Sequence, residues 1–178
     1  MLVLASNSVS RAKILRDAGV EFTQSSTDFD EEKIIADTPK NFVYQATLGK
    51  YNSIKDKKYP ILVADTVLEI DGKIVRKAKD RSDAKRILDL QSSSEISIIT
   101  CMIYSRSKLY LLDISSTTYI FEKFDEDELQ NYLDSGEWEG KAGACMVEGF
   151  CKKYIKSVKG YESTAMGLCI EKLKPFLD

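Results

Sequence analysis

The chain has 178 residues, 43% apolar and 30% charged, with a net charge of −2 and no histidine. That length supports a sizeable core, and the near-neutral balance provides no global field favouring nucleic acid or an anionic membrane. The absence of histidine excludes Ser-His-Asp and Cys-His catalysis and leaves acid–base work to Asp, Glu, Lys, Tyr or metal-bound water. No apolar run approaches the roughly 18 residues of a membrane span, and Met1–Ser6 is too short for a secretory signal before helical sequence begins. Cys101, Cys145, Cys151 and Cys169 lack CxxC spacing. They read as small apolar residues of a reducing cytoplasm rather than as disulfides or zinc ligands.

Leu2–Ala5 reads as a short strand, Ser6-Asn7-Ser8 as a turn with capping residues, and Val9–Ala18 as a helix stopped at Gly19. Val20–Ser26 follows as extended chain and Asp28–Glu32 as an acidic loop. Beyond Pro39, Asn41–Asn52 reads as a helix with Phe42, Ala46 and Gly49 toward the core. Ile61–Ala64 is a short buried strand, and Val67–Ile70 with Lys73–Val75 a hairpin closed by Asp71-Gly72. Asp65 interrupts this strongly β-forming stretch, where a carboxylate is costly to bury unless something pairs with it.

Ser82 caps a helix through Leu90, and Ser92–Ser94 is a loop. Ile96–Tyr104 and Leu109–Phe121 read as a long hairpin with Ser105–Lys108 at its tip. Asp125 and Glu128 form a capping-box pattern opening a helix that ends at Gly136. The loop Glu137–Gly143 leads into Ala144–Val147, and the final helix lies near Ile170–Phe176. Alternating strands and helices, then an antiparallel hairpin, predict an α/β fold with a mixed sheet, in two lobes around a cleft.

Three groups of residues carry chemistry. Ser6–Arg11 lies between a strand and a helix, where backbone amides favour an anion. An ordinary N-cap accounts for Ser8 alone, but Ser10 would extend a cradle, and Arg11 opposes the macrodipole as though something negative were expected. Lys50, Lys77 and Lys141 each read alone as solvated charges, and Lys50 also suits a helix C-terminus. The acidic group is Glu31, Asp65 and Glu148, of which Asp65 taken alone reads equally as a turn or cap residue. Carboxylates beside lysines around a phosphate-sized space suit metal-assisted attack of water on a phosphoryl group. With neither GxxxxGK[ST] nor GxGxxG present, residue types alone support only an anion site.

Taken in order, these segments resemble the Maf family of nucleoside triphosphate pyrophosphatases, also called septum formation inhibitor homologues. Leu4–Arg11 is similar to the family's opening LAS-x-SPRR, Asp30-Glu31 to its acidic pair, and Lys50 to the lysine of its LAxEKA helix. Ala64-Asp65-Thr66, Asp71-Gly72 and Lys77 resemble ADT…DG…GKP. Lys141–Ala144 with Glu148-Gly149 resembles KAGAY-x-IQG, and Met166-Gly167-Leu168 the closing VGLP.

The resemblance implies one Maf domain over residues 1–178, with an elongated, inosine triphosphatase-like sheet flanked by helices. It implies hydrolysis of a nucleoside triphosphate to monophosphate and pyrophosphate with a divalent cation, Mg or Mn. Asp65 is then the proton acceptor or a metal ligand, Glu31 assists with water or metal, and Lys77 joins them in catalysis. Ser8, Arg11, Lys50 and Lys141 bind the substrate, while Ser10, Thr66 and Glu148 bear on the base. Departures fall at Ser10 and Cys145, where the family has arginine and tyrosine, and at Glu148, where it has glutamine in one substrate class.

Glutamate accepts hydrogen bonds from amino and ring N–H groups, so Glu148 favours purine or modified bases. The implied partners are a nucleotide and a second copy of the chain, with no nucleic acid and no membrane, in the cytoplasm. Nucleotide-pool housecleaning is the leading expectation. The alternative is a catalytically weak nucleotide-binding regulator of cell division that acts through protein partners.

Overall fold

Apolar and β-branched residues from Ile61 to Ile70 form a single unbroken strand, β3 (Ile61–Ile70), in the computed structural model, which describes residues 1–57 and 59–177. Asp65 therefore does not interrupt the stretch. A β-ladder uses only backbone groups, and Asp65 keeps its place opposite Cys101 while its side chain leaves the sheet. Around β3 lie β1 (Leu2–Ala5), β2 (Phe22–Ser25), β4 (Lys73–Val75), β5 (Glu95–Arg106), β6 (Leu109–Phe121) and β7 (Ile155–Lys159). The sheet order is β2-β1-β3-β5-β6-β7, with β4 beside β3. The β1–β2 and β1–β3 pairs are parallel and the others antiparallel, so the expected mixed sheet is present.

The two edges of β3 differ. One pairs with β5 without a break from Ile61 to Glu69. The other pairs with β1 only at Ile61 and Leu62, then with β4 from Leu68 to Ile70. Between those contacts, Val63–Val67 face no strand, and Asp65 is the middle residue of the gap. Since successive strand residues point to opposite faces, Asp65 shares a face with Val63 and Val67, and Thr66 shares the other with Ala64 and Leu68.

Helices cover both faces. On the first, α2 (Pro39–Ser53) packs Phe42 and Val43 against Val67, Ile99 and Cys101. It starts at Pro39, with Thr38 as cap, earlier than Asn41, because proline suits the first helical turn. On the second, α1 (Val9–Asp17) packs Ile14 and Leu15 against Leu4, Leu62 and Tyr104. Further along that face, α3 (Arg81–Gln91) and α4 (Glu126–Ser135) enclose Leu68, Ile96, Ile98, Phe121 and Trp138. These two cores are the two lobes, and Met166 packs against both. The chain closes with α5 (Glu162–Ala165), α6 (Ile170–Leu173) and a 3-10 turn over Lys174–Phe176, where one helix was expected.

Local signals differ from the sequence reading in two caps. Asp80 rather than Ser82 caps α3, its carboxylate accepting from the Asp83 amide at 2.8 Å, since an anion there also complements the helix dipole. At α4, Asp125 accepts from the Glu128 amide at 3.0 Å, but Glu128 does not reach back. The Tyr154 hydroxyl stands between, accepting from the Asp125 amide at 3.2 Å and donating to Glu128. The strand β7 was not anticipated; its lysines and exposed residues are those of a protected sheet edge.

Gly143 fixes the loop that enters the cleft. Its φ is +57°, and a Cβ there would stand 2.6 Å from Leu68 Cδ1 and 2.9 Å from Leu68 Cβ. Its carbonyl accepts from the buried Gln91 Nε2 at 2.6 Å. Gly143→Ala is expected to lower stability by about 2 kcal/mol through overpacking, read from urea denaturation midpoints; an unchanged midpoint would contradict this packing.

Candidate active site

A cleft of about 470 Å³ opens at the gap in β3 and takes residues from both faces of the sheet. Its floor is Ala64-Asp65-Thr66, one wall is the turn from Ser6 into α1, and the other carries Lys77, Lys141 and Glu148. An isolated β-bridge between Lys77 and Ala142 ties together the two segments of that second wall. Glu31 enters from a 3-10 turn, Glu31–Lys33, and Lys50 from the last turn of α2. Phe29 of the acidic loop lies against Gly49, whose lack of a side chain admits the ring beside α2. All ten residues singled out from the sequence, Ser8, Ser10, Arg11, Glu31, Lys50, Asp65, Thr66, Lys77, Lys141 and Glu148, line this one cleft.

Lys50 bridges the two carboxylates. Its Nζ is 2.5 Å from Asp65 Oδ1 and also pairs with Glu31 Oε1. Arg76 Nη2 approaches Glu31 Oε2 at 3.8 Å. Asp65 is only 5% exposed, and its Oδ2 is buried without a hydrogen-bond partner among the described residues.

These surroundings push the two acids apart. Burial raises Asp65 above the usual carboxylate range, opposed by Lys50 and reinforced by Glu31. Burial also pushes Glu31 upward, but Lys50, Lys77 and Arg76 together hold it below its ordinary value. A pair separated in this way is how sites assign one proton acceptor and one standing anion. Among the described residues no group of three or more Cys, Asp or Glu could hold a metal by itself.

Arg11 crosses from α1 to the Thr66 face. Its Nε donates to the Gly167 carbonyl at 2.8 Å, Nη1 to Ser6 Oγ at 2.9 Å, and Nη2 to Thr66 Oγ1 at 3.0 Å. Of five guanidinium N–H groups, one on each Nη remains for an anion. Burial lowers its pKa from the ordinary guanidinium value, while Asp65 and Glu31 oppose that shift. Ser8 accepts from the Arg11 amide at 3.3 Å as the N-cap of α1, so an ordinary cap and the cleft wall are the same residue.

Lys141 occupies the other end of the cleft. Its Nζ donates to Glu148 Oε1 at 2.9 Å and to Ser10 Oγ at 3.0 Å, joining two of the positions where the sequence departs from the pattern it resembles. Lys77, by contrast, has no ion pair or hydrogen bond from its ammonium among the described residues. Four cations (Arg11, Lys50, Lys77, Lys141) and four carboxylates (Glu31, Asp65, Glu139, Glu148) line the space, so the cleft is close to neutral.

Sequence reasoning missed Ser6 and the Gly167 carbonyl as supports of Arg11. Ser6 was read as part of the Ser6–Arg11 turn and not as a partner of Arg11, and a carbonyl 156 positions away leaves no local signal. The four cysteines are buried free thiols, with Cys145 Sγ 3.5 Å from Cys151 Sγ beneath the Lys141 loop.

The family model described as Maf-like protein matches residues 1–178. A nucleoside triphosphate pyrophosphatase of a Nitratiruptor species is 53% identical over 178 residues, covering 97% of this chain and 96% of its own. Proteins of the same name from Helicobacter pylori and Campylobacter jejuni subsp. jejuni are 38% and 36% identical, covering 97% and 99% of this chain and 92% and 100% of their own. A solved HAM1 protein from Coxiella burnetii shares 15% identity at a TM-score of 0.41, over 67% of this chain and 72% of that one. Matched along its whole length, and sharing half its residues with one such relative, the chain belongs to the Maf family.

Proposed function

We propose that this protein hydrolyses a nucleoside triphosphate to the monophosphate and pyrophosphate, clearing surplus or non-standard nucleotides from the cytoplasm. The observation that carries the reading is Asp65: a buried carboxylate with one oxygen tied to Lys50 and the other unpartnered, on the floor of a cleft lined by Arg11 and Lys77. The relatives' shared name supports it. No helix among the described residues is long and apolar enough to cross a membrane.

Lys50 holds Oδ1, so Oδ2 is the oxygen that accepts the proton of the water attacking the α-phosphorus. An acceptor with a raised pKa is better matched to neutral pH than an ordinary aspartate. Arg11, through its two remaining N–H groups, and Lys77 take the phosphate oxygens as charge moves toward the leaving pyrophosphate.

The chain's own cations do not offset a triphosphate tail, because Lys50 and Lys141 are already paired with carboxylates. The hard-oxygen donors Glu31 and Asp65 fit a divalent ion of the Mg or Mn type, with Glu31 and Asp65 Oδ1 as the oxygens that would hold it while Oδ2 stays the proton acceptor. Bound between Glu31 and Asp65, such an ion would supply Lewis-acid polarisation of the phosphate. At the far end Glu148 keeps Oε2 free while Lys141 fixes Oε1, which presents an acceptor to the base. No feature of the fold favours the alternative of a catalytically weak regulator.

Asp65→Asn is expected to lower pyrophosphate release by at least about 10²-fold while nucleotide binding persists; near-normal turnover would sink the assignment. In the parent, kcat/KM should fall on acidification with a midpoint above the ordinary aspartate value of about 3.9. The same raised pKa sets a stability trend. The neutral carboxyl is favoured in the folded state, so its contribution is complete below about pH 4 and lost as pH rises through the folded pKa. Asp65→Asn should thus match the parent's melting temperature near pH 4 and exceed it at pH 8; the opposite order would show that Lys50 outweighs burial.

Glu148→Gln should move preference from guanine nucleotides toward dTTP and UTP by about tenfold or more, since an amide can also donate to carbonyls. A parent enzyme that already turns over dTTP and UTP best in a nucleotide panel would refute the role given to Glu148.

A further inference from the structure

Thr100 lies on β5 directly opposite Thr66 of β3, is 1% exposed and does not line the cleft. Its Oγ1 is 2.8 Å from Thr66 Oγ1 and 2.7 Å from the Thr164 carbonyl. A carbonyl cannot donate, so the single Thr100 proton is committed to Thr164. The contact between the two threonines must then use the proton of Thr66. Arg11 Nη2 donates into Thr66 Oγ1. Every proton therefore runs one way, from Arg11 to Thr66 to Thr100 to the Thr164 carbonyl, and such aligned chains strengthen each link.

A second arm reaches the same guanidinium. The Thr164 carbonyl also accepts from the Gly167 amide at 3.0 Å, and the Gly167 carbonyl accepts from Arg11 Nε. Thr100 thus anchors the segment that holds Arg11 on one side and the hydroxyl that holds it on the other. A Gly167 side chain would stand 3.1 Å from Arg11 Nε and 3.3 Å from Thr66 Oγ1, so the packing around the fork leaves no room for another register.

We propose that Thr100 is a positioning residue for Arg11: through Thr66 and through Thr164–Gly167 it fixes the guanidinium so that its two unused N–H groups face the phosphate tail. This rests on the reading of Arg11 as a phosphate ligand. It also makes Thr66 a support of Arg11, because its hydroxyl has no proton left to offer a base carbonyl. Valine at position 100 keeps the shape and removes both the acceptor for Thr66 and the donor to Thr164. Serine keeps both.

The test is a double-mutant cycle on the full chain, with melting temperatures to establish folding. Thr100→Val should reduce kcat/KM for the nucleoside triphosphate, and the affinity for inorganic triphosphate measured by calorimetry, by about tenfold, as for a lost hydrogen bond to a charged group. Thr100→Ser should stay within about twofold of the parent, since it preserves both bonds. In an Arg11→Gln background, Thr100→Val should have no further effect on either quantity. Equal losses in both backgrounds, or a Thr100→Ser variant as impaired as Thr100→Val, would overturn the proposal. Where Thr100→Val does not accumulate as folded protein, Thr66→Val breaks the same chain one link earlier and takes its place in the cycle. A parent that binds inorganic triphosphate but releases no pyrophosphate from any nucleotide would sink the hydrolytic reading and leave the cycle readable. A parent that does not bind inorganic triphosphate at all would overturn the positioning role as well.

Discussion

The organisation of this molecule depends on a missing strand. Along Val63–Val67 one edge of β3 is unpaired while the other is fully bonded to β5, so the backbone there is rigid on one side and open on the other. Because side chains alternate across a sheet, an open edge lets groups from opposite faces meet around it. Asp65 arrives from the face covered by α2, which brings Lys50; Thr66 points to the face of α1, which brings Arg11. A continuous sheet would separate these two sets. The gap makes them neighbours, close enough that Arg11 and Asp65 shift each other's ionisation.

Burial gives the arrangement its chemical asymmetry. Two acids share one lysine, yet they do not behave alike. Asp65 is more deeply enclosed and has an oxygen without a partner, so desolvation dominates. Glu31 is the more exposed of the two and gathers Lys50, Lys77 and Arg76, so attraction dominates. The difference follows from position: Asp65 belongs to a central strand, whereas Glu31 sits on a short turn ahead of α2. An orphaned buried acceptor such as Asp65 Oδ2 costs free energy in a folded protein. In the proposed reaction that oxygen is the one that receives the proton of the attacking water.

The sequence was most legible where chemistry and chain order coincide. Ala5–Arg11, Ala64–Thr66 and Lys141-Ala142 are short runs whose residues all reach one space, so reading the segments that contain them as units located the cleft. It was least legible where a backbone property overrides side-chain character. Asp65 looked like a strand break because carboxylates are rare in buried strands, but a ladder is indifferent to the side chain that leaves it. The Asp80 cap was overlooked for a serine two positions later, and β7 was hidden by the lysines that protect a sheet edge. The partners of Arg11 were invisible for a different reason. Ser6, Thr66 and Gly167 come from three separate segments, and no periodicity links them.

That last feature is what would let a nearly neutral cleft discriminate for an anion, as the proposed function requires. Counting charges suggests little attraction, since every carboxylate is matched by a cation. Availability matters more than number. Lys50 and Lys141 are committed to carboxylates within the fold, whereas Lys77 is unpaired among the described residues and Arg11 is held only by neutral oxygens. Neutral acceptors orient a guanidinium without cancelling its charge, so Arg11 is fixed in direction and still electrostatically unsatisfied. A carboxylate in the place of Ser6 or Thr66 would hold it equally well but offset its charge. Hydroxyls and a carbonyl at those positions are therefore what the proposed role of Arg11 as a phosphate ligand requires.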